Sequence, residues 1–230
     1  MKSLASAAIV FTLLQSPVAH AAWDATADFN ATTITNPNGV WSYGYDPAAT
    51  AGYQLKTFDL FTATLLPIAW QDSTYVYSMA PNFEKNTATS RIAGTLPGQI
   101  ALHPGPATNG DAAILRFTAP QTGSYSIRAQ FFAGDLGETE AWAVLNNDFL
   151  APLGALGTTN LNPKFSIGAL SLAADDTVDF VVGNRGSYFG DTTPLTAQIS
   201  VVPEPGIPML LLLGLGCIGL RVLARRPKEA

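Results

Sequence analysis

Three acidic residues, Asp135, Glu138 and Glu140, cluster just ahead of an apolar segment that begins at Ala141. Closely spaced carboxylates support two kinds of chemistry. A glycosidase needs one carboxylic acid and one carboxylate flanking the scissile bond. A hard cation such as calcium takes carboxylates together with main-chain carbonyls. Asp191 and the pair Asp175-Asp176 stand at other turns. No Asp-x-Asp-x-Asp-Gly loop is present to specify a calcium site, so the first expectation is solvated turn residues, with Asp135, Glu138 and Asp191 as calcium candidates. Beyond His20 the chain has a single histidine, His103, and no Gly-x-Ser-x-Gly elbow accompanies it. A Ser-His-Asp triad would have to use that one imidazole, and a histidine zinc site lacks ligands. No catalytic residue and no resident cofactor are assigned, and a non-enzymatic protein is expected.

Aromatic residues offer a different chemistry. Trp41, Tyr43 and Tyr45 alternate along one segment, Tyr75 and Tyr77 along another, and Tyr188 and Phe189 sit in the glycine-containing stretch 183–194. An aromatic face is amphipathic and suits a sugar ring as well as a protein core. Trp41, Tyr43, Tyr45 and Tyr188 are therefore candidates for a glycan platform. The other reading is that each strand turns one aromatic face inward, and for Trp41 this is the first reading. The loop around Tyr188 can equally fold back on its own side chains.

The elements that must position these residues read as short strands. In 124–131, Tyr125, Ile127, Ala129 and Phe131 alternate with Ser124, Ser126, Arg128 and Gln130, the period of a half-buried strand. Segments 40–45, 53–62, 74–79, 113–118, 141–150, 165–172, 177–183 and 196–202 are further strand candidates, and 80–95 reads as loop or short edge strands. Asn36-Pro37-Asn38-Gly39, His103 to Asp111 and Ala119 to Gly123 carry turn chemistry. Short alternating strands, with no helical period of comparable length between them, predict an all-β antiparallel sandwich.

Of the 230 residues, 22–201 form the expected sandwich domain, long enough to bury a core by itself. From Ala22 to Pro203 there are seven Lys and Arg against fifteen Asp and Glu, a balance of about −8. Such an acidic surface excludes nucleic acid as a partner. Cys217, the one cysteine, lies in the C-terminal apolar run, so the domain has no disulfide to rely on.

The two ends carry targeting patterns. Lys2 precedes an apolar core from Leu4 to Leu14, Ser16-Pro17 breaks it, and Ala19-His20-Ala21 supplies small residues for signal peptidase. Residues 1–21 are expected to be a signal peptide cleaved before Ala22 or one residue later. At the other end, 202–230, come Pro203-Glu204-Pro205, an apolar run from Ile207 to Leu220, and the bases Arg221, Arg225, Arg226 and Lys228. As helix, Ile207 to Leu220 spans about 21 Å, and extension to Leu223 about 26 Å, short of a ~30 Å hydrocarbon core unless Arg221 snorkels. A membrane helix is expected over about 207–223. The bases place its C-terminus in the cytoplasm.

The order of Val-Pro-Glu-Pro, a short Leu- and Gly-rich helix and a terminal Arg-Arg cluster resembles the PEP-CTERM sorting tail. That resemblance implies recognition by an exosortase, a membrane cysteine protease, at Pro203, Glu204 and Pro205. It further implies an inner-membrane stage followed by the cell surface or extracellular matrix of a Gram-negative bacterium that makes exopolysaccharide or biofilm. Ala119-Pro-x-x-Gly-x-Tyr-x-Ile and the later Leu-Ala-Ala-Asp-Asp-Thr-Val-Asp-Phe-Val-Val-Gly-Asn resemble jelly-roll domains of bacterial surface proteins, related in shape to galactose-binding-like and carbohydrate-binding modules. Together these imply a structural or adhesive matrix protein. A carbohydrate-binding module is the alternative, and a polysaccharide-active hydrolase a distant third.

Overall fold

A strand with apolar residues at every second position buries one face only, and a second sheet must cover it. The computed structural model describes residues 22–32, 34–47, 53–63, 66–75, 80–106 and 111–203. Within them an eight-stranded and a six-stranded sheet, antiparallel throughout, pack face to face. The larger sheet contains β1 (Ala22–Asp24), β4 (Leu60–Thr62), β5 (Ile68–Gln71), β6 (Asn82–Lys85), β7 (Ile100–His103), β9 (Gly123–Phe131), β12 (Lys164–Leu172) and β14 (Thr193–Val201). Its order is β12-β9-β14-β7-β6-β5-β4, with β1 also paired to β14. The smaller contains β2 (Trp41–Asp46), β3 (Lys56–Thr57), β8 (Ala112–Thr118), β10 (Glu140–Leu145), β11 (Gly154–Thr158) and β13 (Thr177–Gly183), in the order β11-β10-β13-β8-β2-β3. The all-β antiparallel sandwich is the fold observed.

The core lies between the sheets. Tyr125, Ile127 and Phe131 of β9 and Leu195, Ala197 and Ile199 of β14 meet Leu115 and Phe117 of β8 and Val178, Phe180 and Val182 of β13, all buried in one cluster. Trp41, Tyr43 and Tyr45 belong to the same cluster, at 1%, 1% and 3% exposure. β2 pairs with β8 on one side and β3 on the other, and its aromatic face points at the opposite sheet, where Tyr43 meets Phe83 at 4.5 Å between ring centroids. These three residues therefore form core, and the glycan-platform reading of them is corrected.

Other expectations shift for readable reasons. Segment 53–62 divides: β3 joins the smaller sheet and β4 the larger, which explains why apolar residues occupy both of its faces. Segment 80–95 holds β6, which is central, between β5 and β7. Asn-Phe-Glu-Lys shows one apolar residue, Phe83, too few for a visible period. Tyr75 lies in a one-turn 3-10 helix (Ser73–Tyr75), and Tyr77 lies outside the described residues. A four-residue helix α1 (Ala25–Asp28), capped by the Asp24 side chain accepting from the amides of Thr26 and Ala27, delivers Phe29 fully buried into the core.

The signal segment 1–21 and the tail from Glu204 onward lie outside the described residues. Among those described, no helix is long and apolar enough to cross a membrane. Ala22 pairs with Ser200, so the entry into β1 and the exit from β14 share one end of the sandwich. The loops after β9 and before β14 share the other, about 30 Å away along the nine residues of β14.

Candidate functional site

At that far end, two connections run side by side. The loop from Phe132 to Thr139 joins β9 to β10, and the loop from Asn184 to Thr192 joins β13 to β14. They extend the β9–β14 pairing outward: Phe132 N donates to Pro194 O at 2.8 Å, Asp135 N to Thr192 O at 3.2 Å, and Gly137 N to Gly190 O at 2.8 Å. Glycine is required for this approach. A Cβ on Gly134 would fall 1.8 Å from the carbonyl oxygen of Thr192, and one on Gly137 would fall 1.8 Å from Oδ1 of Asp191.

The pairing brings Asp135, Glu138 and Asp191 into one loop cluster, although 56 positions separate Asp135 from Asp191 by their numbers. Asp191 is 1% exposed, and neither of its carboxylate oxygens has a hydrogen-bond partner. Burial, and secondarily the charge of Asp135, pushes its pKa up to about 7. Arg185 answers two other carboxylates, with Nη1 3.2 Å from Glu138 Oε2 and Nε 2.8 Å from Glu140 Oε1. Asn184 anchors the loop by donating from Nδ2 to Gly105 O at 2.8 Å and accepting from Gly186 N at 3.0 Å. A cleft of about 220 Å³ opens here, lined by Gly137, Glu138, Arg185, Phe189 and Asp191 among others.

Aromatic surface completes the site. Tyr188 and Phe189 pack against each other with centroids 4.5 Å apart and ring planes tilted by 32°. Tyr188 is half-buried against the edge of His103 at 6.3 Å, while Phe189 is 74% exposed. Of the four proposed platform residues only Tyr188 reaches a surface. His103 ends β7; its Nδ1 lies 2.7 Å from the carbonyl of Pro104, which can only accept, so Nδ1 carries the proton. Burial holds the imidazole pKa below its ordinary value.

The remaining candidates fall elsewhere. Asp175 and Asp176 sit at the opposite end of the seven-residue β13, where Asp176 accepts from Ala173 N at 2.8 Å and Asn146 Nδ2 at 3.0 Å. They shape a turn and cannot pair with Asp135. Pro203 follows the end of β14, whereas Glu204, Pro205, Arg221, Arg225, Arg226, Lys228, Ala19 and Ala21 lie outside the described residues. Ala22 is a paired residue of β1. A larger groove of about 470 Å³ runs beside β1, lined by Asp24, Arg128 and Gln198. Its Asp24 carboxylate already accepts from Thr26 N, Ala27 N and Gln198 Nε2, so that groove lacks the unsatisfied group found at the loop end. Gly137 and Arg185 escaped the sequence reading because their roles exist only when the two loops meet.

No family model matches the chain, and no curated protein matches it. Solved structures do. The Podospora anserina GH26-CBM35 β-(1,4)-mannanase is 17% identical over 51% of this chain and 25% of its own, with a TM-score of 0.30. A family 35 carbohydrate binding module from Clostridium thermocellum is 14% identical over 46% of this chain and 78% of its own, TM-score 0.26. Pika GITRL is 18% identical over 40% and 79%, TM-score 0.25. The chain spans about a quarter of the mannanase it matches.

Proposed function

We propose that this chain is an exported, non-enzymatic protein of the cell surface or extracellular matrix, delivered by an exosortase-type system, whose loop end contacts polysaccharide. The observation that carries the ligand part is the exposed Phe189, packed on Tyr188 and sharing a cleft with the charged groups Glu138 and Arg185. An apolar ring next to charged hydrogen-bonding groups matches the alternating apolar faces and hydroxyl edges of a sugar chain. The finer reading of the sandwich as a jelly roll of the galactose-binding-like kind belongs to the same proposal.

Export and sorting rest on the terminal motifs, and the placement of the ends supports them. Cleavage before Ala22 leaves β1 whole, since Ala22 is its first residue. The chain leaves β14 at Val201 and reaches Pro203 two residues later, so a tail anchored in a membrane would hold the Tyr188–Phe189 end outward. The non-enzymatic reading is supported by the state of the ionisable groups: Glu138 and Glu140 share one guanidinium, and the His103 proton is directed at a carbonyl.

The test is retention of the full chain, purified in detergent, on affinity gels of exopolysaccharide from the producing cells and on a glycan array. Retention lost on Tyr188→Ala and Phe189→Ala is the expected result. Retention unchanged by both substitutions, or no retention of the native chain on any glycan, contradicts the ligand part.

A further inference from the structure

The side chain of Asp191 is buried without a hydrogen-bond partner for either oxygen. A carboxylate removed from water without hydrogen bonds is costly, and proteins meet that cost by protonating the group or by giving it a cation. The surroundings of Asp191 are rich in oxygen. The point where a Gly137 Cβ would stand is 1.8 Å from Asp191 Oδ1, 2.8 Å from the carbonyl oxygen of Phe189 and 2.9 Å from that of Gly190. The carboxyl carbon of Asp135 lies 3.7 Å from the corresponding point on Gly190. The charges lining the cleft are Glu138 and Asp191 against the single guanidinium of Arg185, which also pairs with Glu140, and the charge of Asp135 acts on Asp191 from the facing loop.

We propose that the junction of the β9–β10 and β13–β14 loops is a binding site for a hard divalent cation, calcium in the first instance, with the buried carboxylate of Asp191 as its principal ligand. Among the described residues no three Asp, Glu, His or Cys side chains converge closely enough to hold a metal by themselves. The site therefore draws on main-chain carbonyls of the 189–190 segment, the side chains of Asp135 and Glu138, and water. Calcium accepts such a mixed shell of six to eight oxygens at about 2.3–2.6 Å, whereas magnesium demands near-ideal octahedral geometry. With few protein charges the affinity falls in the range of extracellular modules, on the order of 10⁻⁴–10⁻³ M. A bound ion would tie the two loops together beneath Tyr188 and Phe189.

The proposal is independent of any glycan and is tested without one. The full chain in detergent is stripped with EDTA and melted by tryptophan fluorescence with about 10 mM CaCl2, with MgCl2, or with NaCl at equal ionic strength. Mass action at that concentration predicts a calcium-specific rise in Tm of roughly 3–10 °C. The rise shrinks from pH 8 to pH 5 as Asp191 takes up a proton; Asp135, Glu138, Glu140, Arg185 and His103 are the other charged or titratable groups around it. Asp191→Asn abolishes the rise, and the surface double variant Asp135→Asn with Glu138→Gln reduces it. The proposal is overturned if calcium moves the native Tm no more than NaCl does. It is equally overturned if Asp191→Asn keeps the full shift. Should Asp191→Asn fail to fold, an undiminished shift in the double variant overturns the assigned ligand set.

Discussion

The carboxylate of Asp191 lies directly over the Cα of Gly137, close enough that a methyl group there would stand 1.8 Å from Oδ1. The other nearest atoms are the carbonyl oxygens of Phe189 and Gly190, which belong to backbone and cannot swing aside. Gly137→Ala is therefore expected to cost about 1–3 kcal/mol as an overpacking change, lowering Tm by roughly 2–10 °C. Gly168→Ala is the control, because nothing lies within 4 Å of its Cβ position. Parallel thermal melts check both, and equal Tm values for the two variants would contradict the close approach.

Stability should fall as pH rises from about 4 to 7 in EDTA. Burial pushes the pKa values of Asp191 and Glu84 up to about 7, so over this window the unfolded chain releases protons that the folded chain keeps, and ionisation favours unfolding. Two groups act otherwise. His103, held low by burial, contributes the opposite trend just below its ordinary pKa. Asp72 is held below the ordinary carboxylate range: its burial would raise it, but Lys56, Thr74 and Tyr45 outweigh that, so its stabilisation disappears only in stronger acid. Tm measured from pH 5 to 8 should decline in the native chain and flatten in a chain carrying Asp191→Asn and Glu84→Gln. An unflattened slope counts against these assignments.

Asp179 is fully buried on the outer side of β13 and receives Arg116 through two contacts of 2.7 Å, Nε to Oδ1 and Nη2 to Oδ2, plus the Tyr53 hydroxyl at 2.8 Å. Asp179→Ala would strand a largely buried guanidinium and a hydroxyl together. The expected loss is about 3–5 kcal/mol, measured as the urea midpoint at constant m-value. A shift under a third of that would mean the pair is solvated.

Two aromatic residues, one exposed and one buried, should behave in opposite ways. Phe189→Ala removes an exposed ring and should leave Tm nearly unchanged while weakening polysaccharide retention by roughly tenfold, equivalent to about 1.4 kcal/mol. Trp41→Ala should cost about 3–5 kcal/mol of stability, since its ring packs on Phe117 at 5.5 Å and its Nε1 donates to Asp28 at 2.8 Å. Melting curves and affinity electrophoresis on both variants separate the two roles.

For the tail, Glu204→Ala should leave the protein full length in the inner membrane. Membrane fractionation with mass analysis of the mature chain reads this directly. A mature mass and location identical to those of the native chain would rule out Pro203-Glu204-Pro205 as the processing motif.

Much of the sandwich is visible in the residue pattern because a half-buried strand must alternate. β9, β13 and the last strand carry that period openly, and their inward faces are the ones observed. β6 and β11 are invisible for the complementary reason: Asn-Phe-Glu-Lys and Gly-Ala-Leu-Gly-Thr are ordered by their neighbours, and their own residues show no period. The split of 53–62 between two sheets is a tertiary event that no local period records.

By itself, the sequence determined the fold class, the absence of a thiol from the sandwich, the acidic balance, and the terminal motifs from which export and sorting are read. These follow from composition and short-range spacing, which folding does not alter. Tertiary structure decided which aromatic faces point inward and which carboxylates meet. Trp41, Tyr43 and Tyr45 look the same as a surface platform until a second sheet covers them. Asp191 looks the same as any turn aspartate until Gly137, from a loop distant in the chain, lets it settle against the backbone and strips it of water.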